Sequence, residues 1–145
     1  MSFDKAGWLN KVPEVILSFW VIKILSTTVG ETGADFLAVD AGLGAAWTSI
    51  GMAALLTLAL YFQLRTKAYS PRIYWLTVVL VSIVGTQITD VMTDVLDISL
   101  YVSTAVFAVL LTINFLVWYK VERNLSIREI VTPRRELFYW TTVLC

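Results

Sequence analysis

Residues 98–119 read ISLYVSTAVFAVLLTINFLVWY and carry no charged side chain. At about 1.5 Å of rise per residue such a run extends about 33 Å as a helix, matching a hydrocarbon core of about 30 Å. Hydrophobic periodicity does not separate a buried helix from a buried strand here, but length does, since strands are far shorter. In lipid, backbone N–H and C=O groups must also be satisfied within the segment, which a helix does and a lone strand does not. The stretch is therefore read as a membrane-crossing helix.

Three more apolar stretches lie upstream. Residues 45–64 carry no charge, and residues 73–95 are apolar until Asp90. Residues 12–38 are less uniform, with Glu14, Lys23, Glu31 and Asp35 among them. The expectation is an all-α integral membrane protein with four transmembrane helices at about 12–38, 45–64, 73–95 and 98–119. Composition agrees: 58% of residues are hydrophobic, 15% are charged, and the mean hydropathy is +0.76, whereas roughly a quarter of an ordinary soluble domain is charged.

Charge placement orients these helices. Arg65, Lys67 and Arg72 fall between the second and third stretches, and Lys120, Arg123, Arg128, Arg134 and Arg135 follow the fourth. The other two connections carry Asp35 and Asp40, and Asp90, Asp94 and Asp97, with no base. Because basic loops stay in the cytoplasm, both termini are expected there, with the chain in an inner (cytoplasmic) membrane. Tyr61, Phe62, Tyr69, Tyr74, Trp75, Trp118 and Tyr119 sit where an interfacial aromatic belt belongs. The opening MSFDKAGWLNKVPEV, with Asp4, Lys5 and Glu14, does not resemble a cleaved signal peptide.

An internal repeat runs through the chain. Phe19-Trp20 returns as Tyr74-Trp75, Gly30 as Gly85, Asp35 as Asp90 and Arg65 as Lys120, always 55 residues on. The pattern begins a third time: Pro13 precedes Trp20 by seven residues, as Pro133 precedes Trp140. The chain thus divides into repeats at 12–66 and 67–121 and a cytoplasmic tail, 122–145, that opens a third repeat. Two crossings per repeat make the repeats parallel, related by an axis along the membrane normal. The piece after Trp140 is too short to cross; it is read as interfacial or as the stump of a longer reading frame.

The string KVPEVILSFWVIKILSTTVGETGADFL and its echo YWLTVVLVSIVGTQITDVM resemble a family of bacterial membrane-anchored proteins. That family is built of tandem two-helix repeats of unknown function, each with a characteristic tryptophan. The resemblance covers nearly the whole chain and implies the membrane fold; it implies no activity. It also implies eight helices in four repeats, so a homodimer of this chain would restore the usual number.

Ionisable residues inside apolar stretches are costly and are candidates for function. Lys23, Thr27, Thr28, Glu31 and Asp35 in the first stretch, with Thr86, Gln87 and Asp90 in the third, make a candidate polar path for a small ion or solute. The competing reading is topological: Lys23 snorkels to the cytoplasmic surface, and the carboxylates mark where helices leave the lipid. Gly30 and Gly33 are read as close-packing positions, with a helix break beside Glu31 as the alternative. Trp20, Trp75 and Trp140, with Gly30 and Gly85, are the repeat signature.

Histidine is absent and the single cysteine is Cys145, which excludes a disulfide framework within the chain and a Cys/His zinc site. No nucleophile–base pair, phosphate loop or metal motif is present, so no enzyme activity, metal site or cofactor is expected. Only hard ions suit the carboxylates and hydroxyls: a proton, Na⁺, Mg²⁺, Ca²⁺ or Mn²⁺. The zero net charge hides a segregation and gives no reason to expect a nucleic acid partner. The expected partner is the lipid bilayer. Transport between the repeats is the first functional reading; a membrane scaffold or partner subunit, or a truncated non-functional product, is the second.

Overall fold

The structure is a computed structural model that describes residues 11–145; Asp4, Lys5 and the rest of 1–10 lie outside the described residues. Among the described residues every regular element is helical. Helix α1 spans Leu17–Asp35 and runs into a π-helical turn, Phe36–Asp40. Helix α2 spans Ala45–Arg65. Helix α3 spans Pro71–Asp90 and also ends in a π-helical turn, Val91–Val95. Helix α4 spans Leu100–Glu122, and α5 spans Pro133–Leu144 after a single 3₁₀ turn at Ile127–Glu129.

The repeat is visible in the backbone. The two π-helical turns lie 55 residues apart and occupy equivalent places. Each is followed by a residue with positive φ at the equivalent position, Gly42 at 68° and Asp97 at 53°. Glycine takes that conformation freely, and aspartate is among the few other residues that tolerate it.

Three helices are long and apolar enough to cross a membrane: Ala45–Arg65, Pro71–Val95 and Leu100–Glu122. Their outward side chains are almost all apolar, with Trp47, Ile50, Leu58, Leu76, Val109, Leu110 and Leu116 exposed. Such a surface suits lipid rather than water. The fourth expected span, α1, does not reach the same apolarity, because Lys23 and Glu31 interrupt it.

The first helix also begins later than expected, at Leu17 rather than near Val12. Lys11 and Val12 are buried instead at the basic end of the bundle, where the Lys11 N–H donates to the Ile130 carbonyl at 3.1 Å. That bond and Pro13 keep the segment extended, and Ile16 is still extended at φ −118° and ψ 176°. The alternative of a helix break at Gly30 to Gly33 is not realised: α1 is continuous through both glycines, and its irregular turn begins three residues after Gly33.

The two helices of one repeat scarcely pack on each other. The principal contacts are α2 with α3, α1 with α3, and α4 with α5; α5 also touches α3 and α2. The second helix of each repeat thus packs on the first helix of the next. Phe19, Leu56, Ala59, Tyr74, Val78, Val81, Trp118, Tyr139 and Trp140 form the core where these helices meet.

The segment after Trp140 is a further departure. Residues 133–144 are not a tail lying outside the bundle but a helix packed against three others. Pro133 occupies its first turn, and the Thr132 side chain accepts from the Arg135 N–H at 3.4 Å. Its far end reaches the level of Gly85, where a Cβ on that glycine would stand 3.5 Å from the Leu144 carbonyl oxygen.

Candidate functional site

At the acidic end, α1, α2 and α3 diverge around a cavity of about 290 Å³. Asp35 and Ala38 line it from the end of α1 and the π-helical turn, and Ala45 and Ser49 from the start of α2. Thr86, Gln87 and Asp90 line it from the last turns of α3, and Asp94 from the π-helical turn that follows. The 3.6-residue period sets this face: Thr86 or Gln87, Asp90 and Asp94 are one turn apart. Glu31 stands beside the cavity and accepts from the Thr86 hydroxyl at 3.2 Å, a contact between repeat-equivalent positions.

The cavity is rich in acceptors and, among the described residues, holds no base. The carboxylates of Asp94, Asp35 and Glu31 all act electrostatically on Asp90. Gln87 Oε1 is buried with no hydrogen-bond partner. No three carboxylates converge closely enough to ligate a metal among the described residues. The arrangement attracts positive charge and offers it hydroxyls and single carboxylates rather than a chelating cage.

On the side toward the basic end the cavity is closed. Ala34 and Gly30 are buried where α1 meets α3. A Cβ added to Gly30 would lie 3.2 Å from both Ile83 Cγ1 and the Val79 carbonyl oxygen. The close-packing reading of Gly30 therefore holds, whereas Gly33 has nothing within 4 Å and does not serve packing. Beyond this contact the space between the helices is filled by Val78, Val81 and Ile83.

Of the residues expected to share a polar path, the structure gathers Asp35, Thr86, Gln87 and Asp90 around one cavity, with Glu31 beside it. Lys23 stands apart. Its ammonium lies 6.0 Å from the Phe19 ring centre and 5.9 Å from that of Trp20, at the outer limit of a cation–π contact. Helical side chains lean toward the N-terminus, which carries Lys23 away from Glu31 toward these rings. Thr27 and Thr28 both donate to the Ile24 carbonyl, at 2.8 and 3.0 Å, and are engaged with their own helix.

A second polar cluster, at the basic end, was not among the candidates. Glu136 of α5 is fully buried; it accepts from Lys11 Nζ at 2.7 Å, Gln63 Nε2 at 2.9 Å and Trp140 Nε1 at 3.5 Å. Lys11 also donates to the Leu64 carbonyl at 3.1 Å. Nearby, the hydroxyls of Tyr74 and Tyr139 are 2.6 Å apart, joining repeat-equivalent tyrosines. The signal in the sequence is the third aromatic–Trp pair, Tyr139-Trp140, with a glutamate one helical turn before its tryptophan. Of the signature tryptophans, Trp140 is buried in this cluster, Trp75 is half-buried against Phe19, and Trp20 is exposed.

The profile of the repeat of unknown function DUF347 matches residues 18–69 and again residues 73–124. The chain belongs to the DUF347 family. Nothing matches it among curated proteins, and nothing among solved structures. Seen in this frame, the acidic-end cavity lies between the two DUF347 copies: Asp35, Ala45 and Ser49 come from the first, and Thr86, Gln87 and Asp90 from the second. Glu136 and Trp140 fall beyond the second DUF347 copy as matched, in the helix that packs on its α4.

Proposed function

We propose that this protein receives a small cation or compact cationic solute in the acidic-end cavity and passes it across a bacterial inner membrane. In this reading α1 is the fourth crossing, the basic end and both termini face the cytoplasm, and the cavity opens outward. The observation that carries it is the convergence of Asp35, Gln87, Asp90 and Asp94 between two repeats, in a cavity of about 290 Å³ with no base on its wall. Carboxylates placed between apolar helices are costly unless they meet water or positive charge. A volume several times that of one water (~30 Å³ in the liquid) leaves room for a hydrated ion or a small organic ammonium.

Passage then requires the contact between Gly30 and Val79 to open, since it closes the cavity toward the basic end. Small residues at such a contact permit sliding of packed helices, the motion by which repeats rock against each other in many transporters. The test is flux in proteoliposomes with Na⁺, K⁺, H⁺ and methylammonium offered singly. Asp90→Asn is expected to reduce the carried ion's flux at least tenfold, with the fold intact by circular dichroism. Absence of flux for all four, or flux indifferent to Asp90→Asn, would remove the reading. Thiol labelling of Asp40→Cys from outside and of Lys67→Cys only after permeabilisation tests the orientation.

A second reading has its own observation. Lys23 is turned onto aromatic rings of its own helix, and packed apolar side chains close the cavity toward the basic end. A protein that binds a cation at the surface and conducts nothing, acting as a scaffold or partner subunit, fits these features. Saturable cation binding abolished by Asp90→Asn, with no flux of any ion, selects it over transport.

A further inference from the structure

The acidic-end cavity has a counterpart one repeat further along the chain. A second cavity, of about 370 Å³, opens between α3, α4 and the end of α5. Thr89, Leu100 and Thr104 on its wall are the repeat equivalents of Ala34, Ala45 and Ser49 on the wall of the first. In the first cavity the third side is residues 86–95, the acidic half of α3 and its π-helical turn. In the second, among the described residues, that side is open, because α5 meets α4 at Asn114 and Trp118, in its basic half.

The face of α4 that α5 uses continues into the open part. Asn114 donates to the Phe138 carbonyl at 3.2 Å and to the Thr142 hydroxyl at 2.8 Å, which marks the seam. Stepping back along α4 by three or four residues from Asn114 gives Leu111, Phe107, Thr104 and Leu100, all on one face. These four line the cavity. The equivalent face of α2 runs from Ala59 through Leu56, Met52 and Ser49 to Ala45, and α3 packs along it. There Leu56 and Ala59 are buried and Met52 packs on the core.

We propose that the open groove along the acidic half of α4 is a docking site for one further membrane helix of the same chemistry as residues 81–95. Such a helix is apolar, with threonine, amide and carboxylate side chains on the side that enters the groove. It lies in line with α5, as residues 81–95 lie in line with the basic half of α3. Between the larger Leu100, Phe107 and Leu111, the small Ser103, Thr104 and Ala108 allow a helix backbone to approach closely. Its hydroxyls at Thr89 and Thr104 gain partners from a threonine-bearing helix and none from an acyl chain. The site does not depend on whether the first cavity carries a cation.

The experiment uses the full chain in phosphatidylcholine–phosphatidylglycerol vesicles. The probe is a peptide copying Val81–Asp97 preceded by one cysteine. Cys145 lies on the cavity wall and meets that cysteine when the peptide continues the line of α5. Under mild oxidant the disulfide is expected to form at least tenfold faster than with a scrambled peptide of the same composition. Thr104→Trp, an exposed position that folds without repacking, should bring the rate down to the scrambled value, and Ala108→Trp should do the same. Equal rates for the two peptides, or rates insensitive to both tryptophans, overturn the proposal. Chains that join to each other through Thr104→Cys with no peptide present assign the groove to a second copy and likewise overturn it.

Discussion

Glu136 is buried together with the groups that satisfy it, and this makes it the residue on which the basic end depends. One oxygen accepts from Lys11 and the other from Gln63, and Lys11 is itself nearly as buried. Charges withdrawn from water are tolerated only as a pair, and removing one partner strands the other. Lys11→Met is therefore expected to destabilise the protein by about 3–5 kcal/mol, the range for breaking a buried pair. Lys11→Met combined with Glu136→Gln leaves two neutral side chains and should recover most of that loss. Unfolding in mixed micelles, followed by tryptophan fluorescence, reads both. Additive losses in the double mutant would show that the pair is not coupled. At the outer rim of the same end, Arg135 donates to Glu122 at 2.8 Å and reaches Glu129, and these carboxylates hold its guanidinium firmly protonated.

Among the helices, α1 is joined to the rest chiefly through α3, and Gly30 is the closest point of that contact. A Cβ there meets a backbone oxygen of Val79, which cannot swing aside as a side chain end could. Gly30→Leu should push α1 from α3 at a cost of about 1–3 kcal/mol, typical of overpacking. Gly33 lies one turn later in the same helix with open space around it. Gly33→Ala gains helix propensity of up to about 1 kcal/mol with no steric penalty, and is expected to stabilise. The pair is informative because one substitution adds carbon against Val79 and Ile83 and the other adds it into open space. Equal effects on the thermal transition would mean that α1 does not pack on α3 through Gly30.

For the whole molecule, the staggered pairing of helices makes α5 a structural member rather than an appendage. It covers Trp118, which stacks on Phe138 with ring centres 6.0 Å apart, and it brings Glu136 to Gln63 and Tyr139 to Tyr74. Removing residues 133–145 uncovers the basic halves of α2, α3 and α4 together. Amide hydrogen exchange over residues 59–63, 74–78 and 114–118 should then rise at least tenfold, while residues 45–50 change little. Uniform exchange across the molecule would show that α5 does not hold that end.

Much of this was legible in the sequence because it depends on neighbours along the chain. Long apolar helices follow from apolar runs of sufficient length, and the basic and acidic ends follow from where the charges interrupt them. The repeat is a matter of residue identity at a fixed interval, and the π-helical turns fall at that same interval. Part of the cavity followed as well, since Asp35 and Asp90 are repeat-equivalent and lie at the same end. What only the tertiary structure decided is partnership between distant segments. Lys11 and Glu136 are 125 residues apart and meet because α5 inserts beside α2 and α3. Lys23 and Glu31 share a helix yet part company, because side-chain lean and neighbouring rings act in three dimensions. Hydropathy states that a residue leaves water; it does not state which surface receives it, since many apolar faces are equivalent until shape and hydrogen bonds distinguish them.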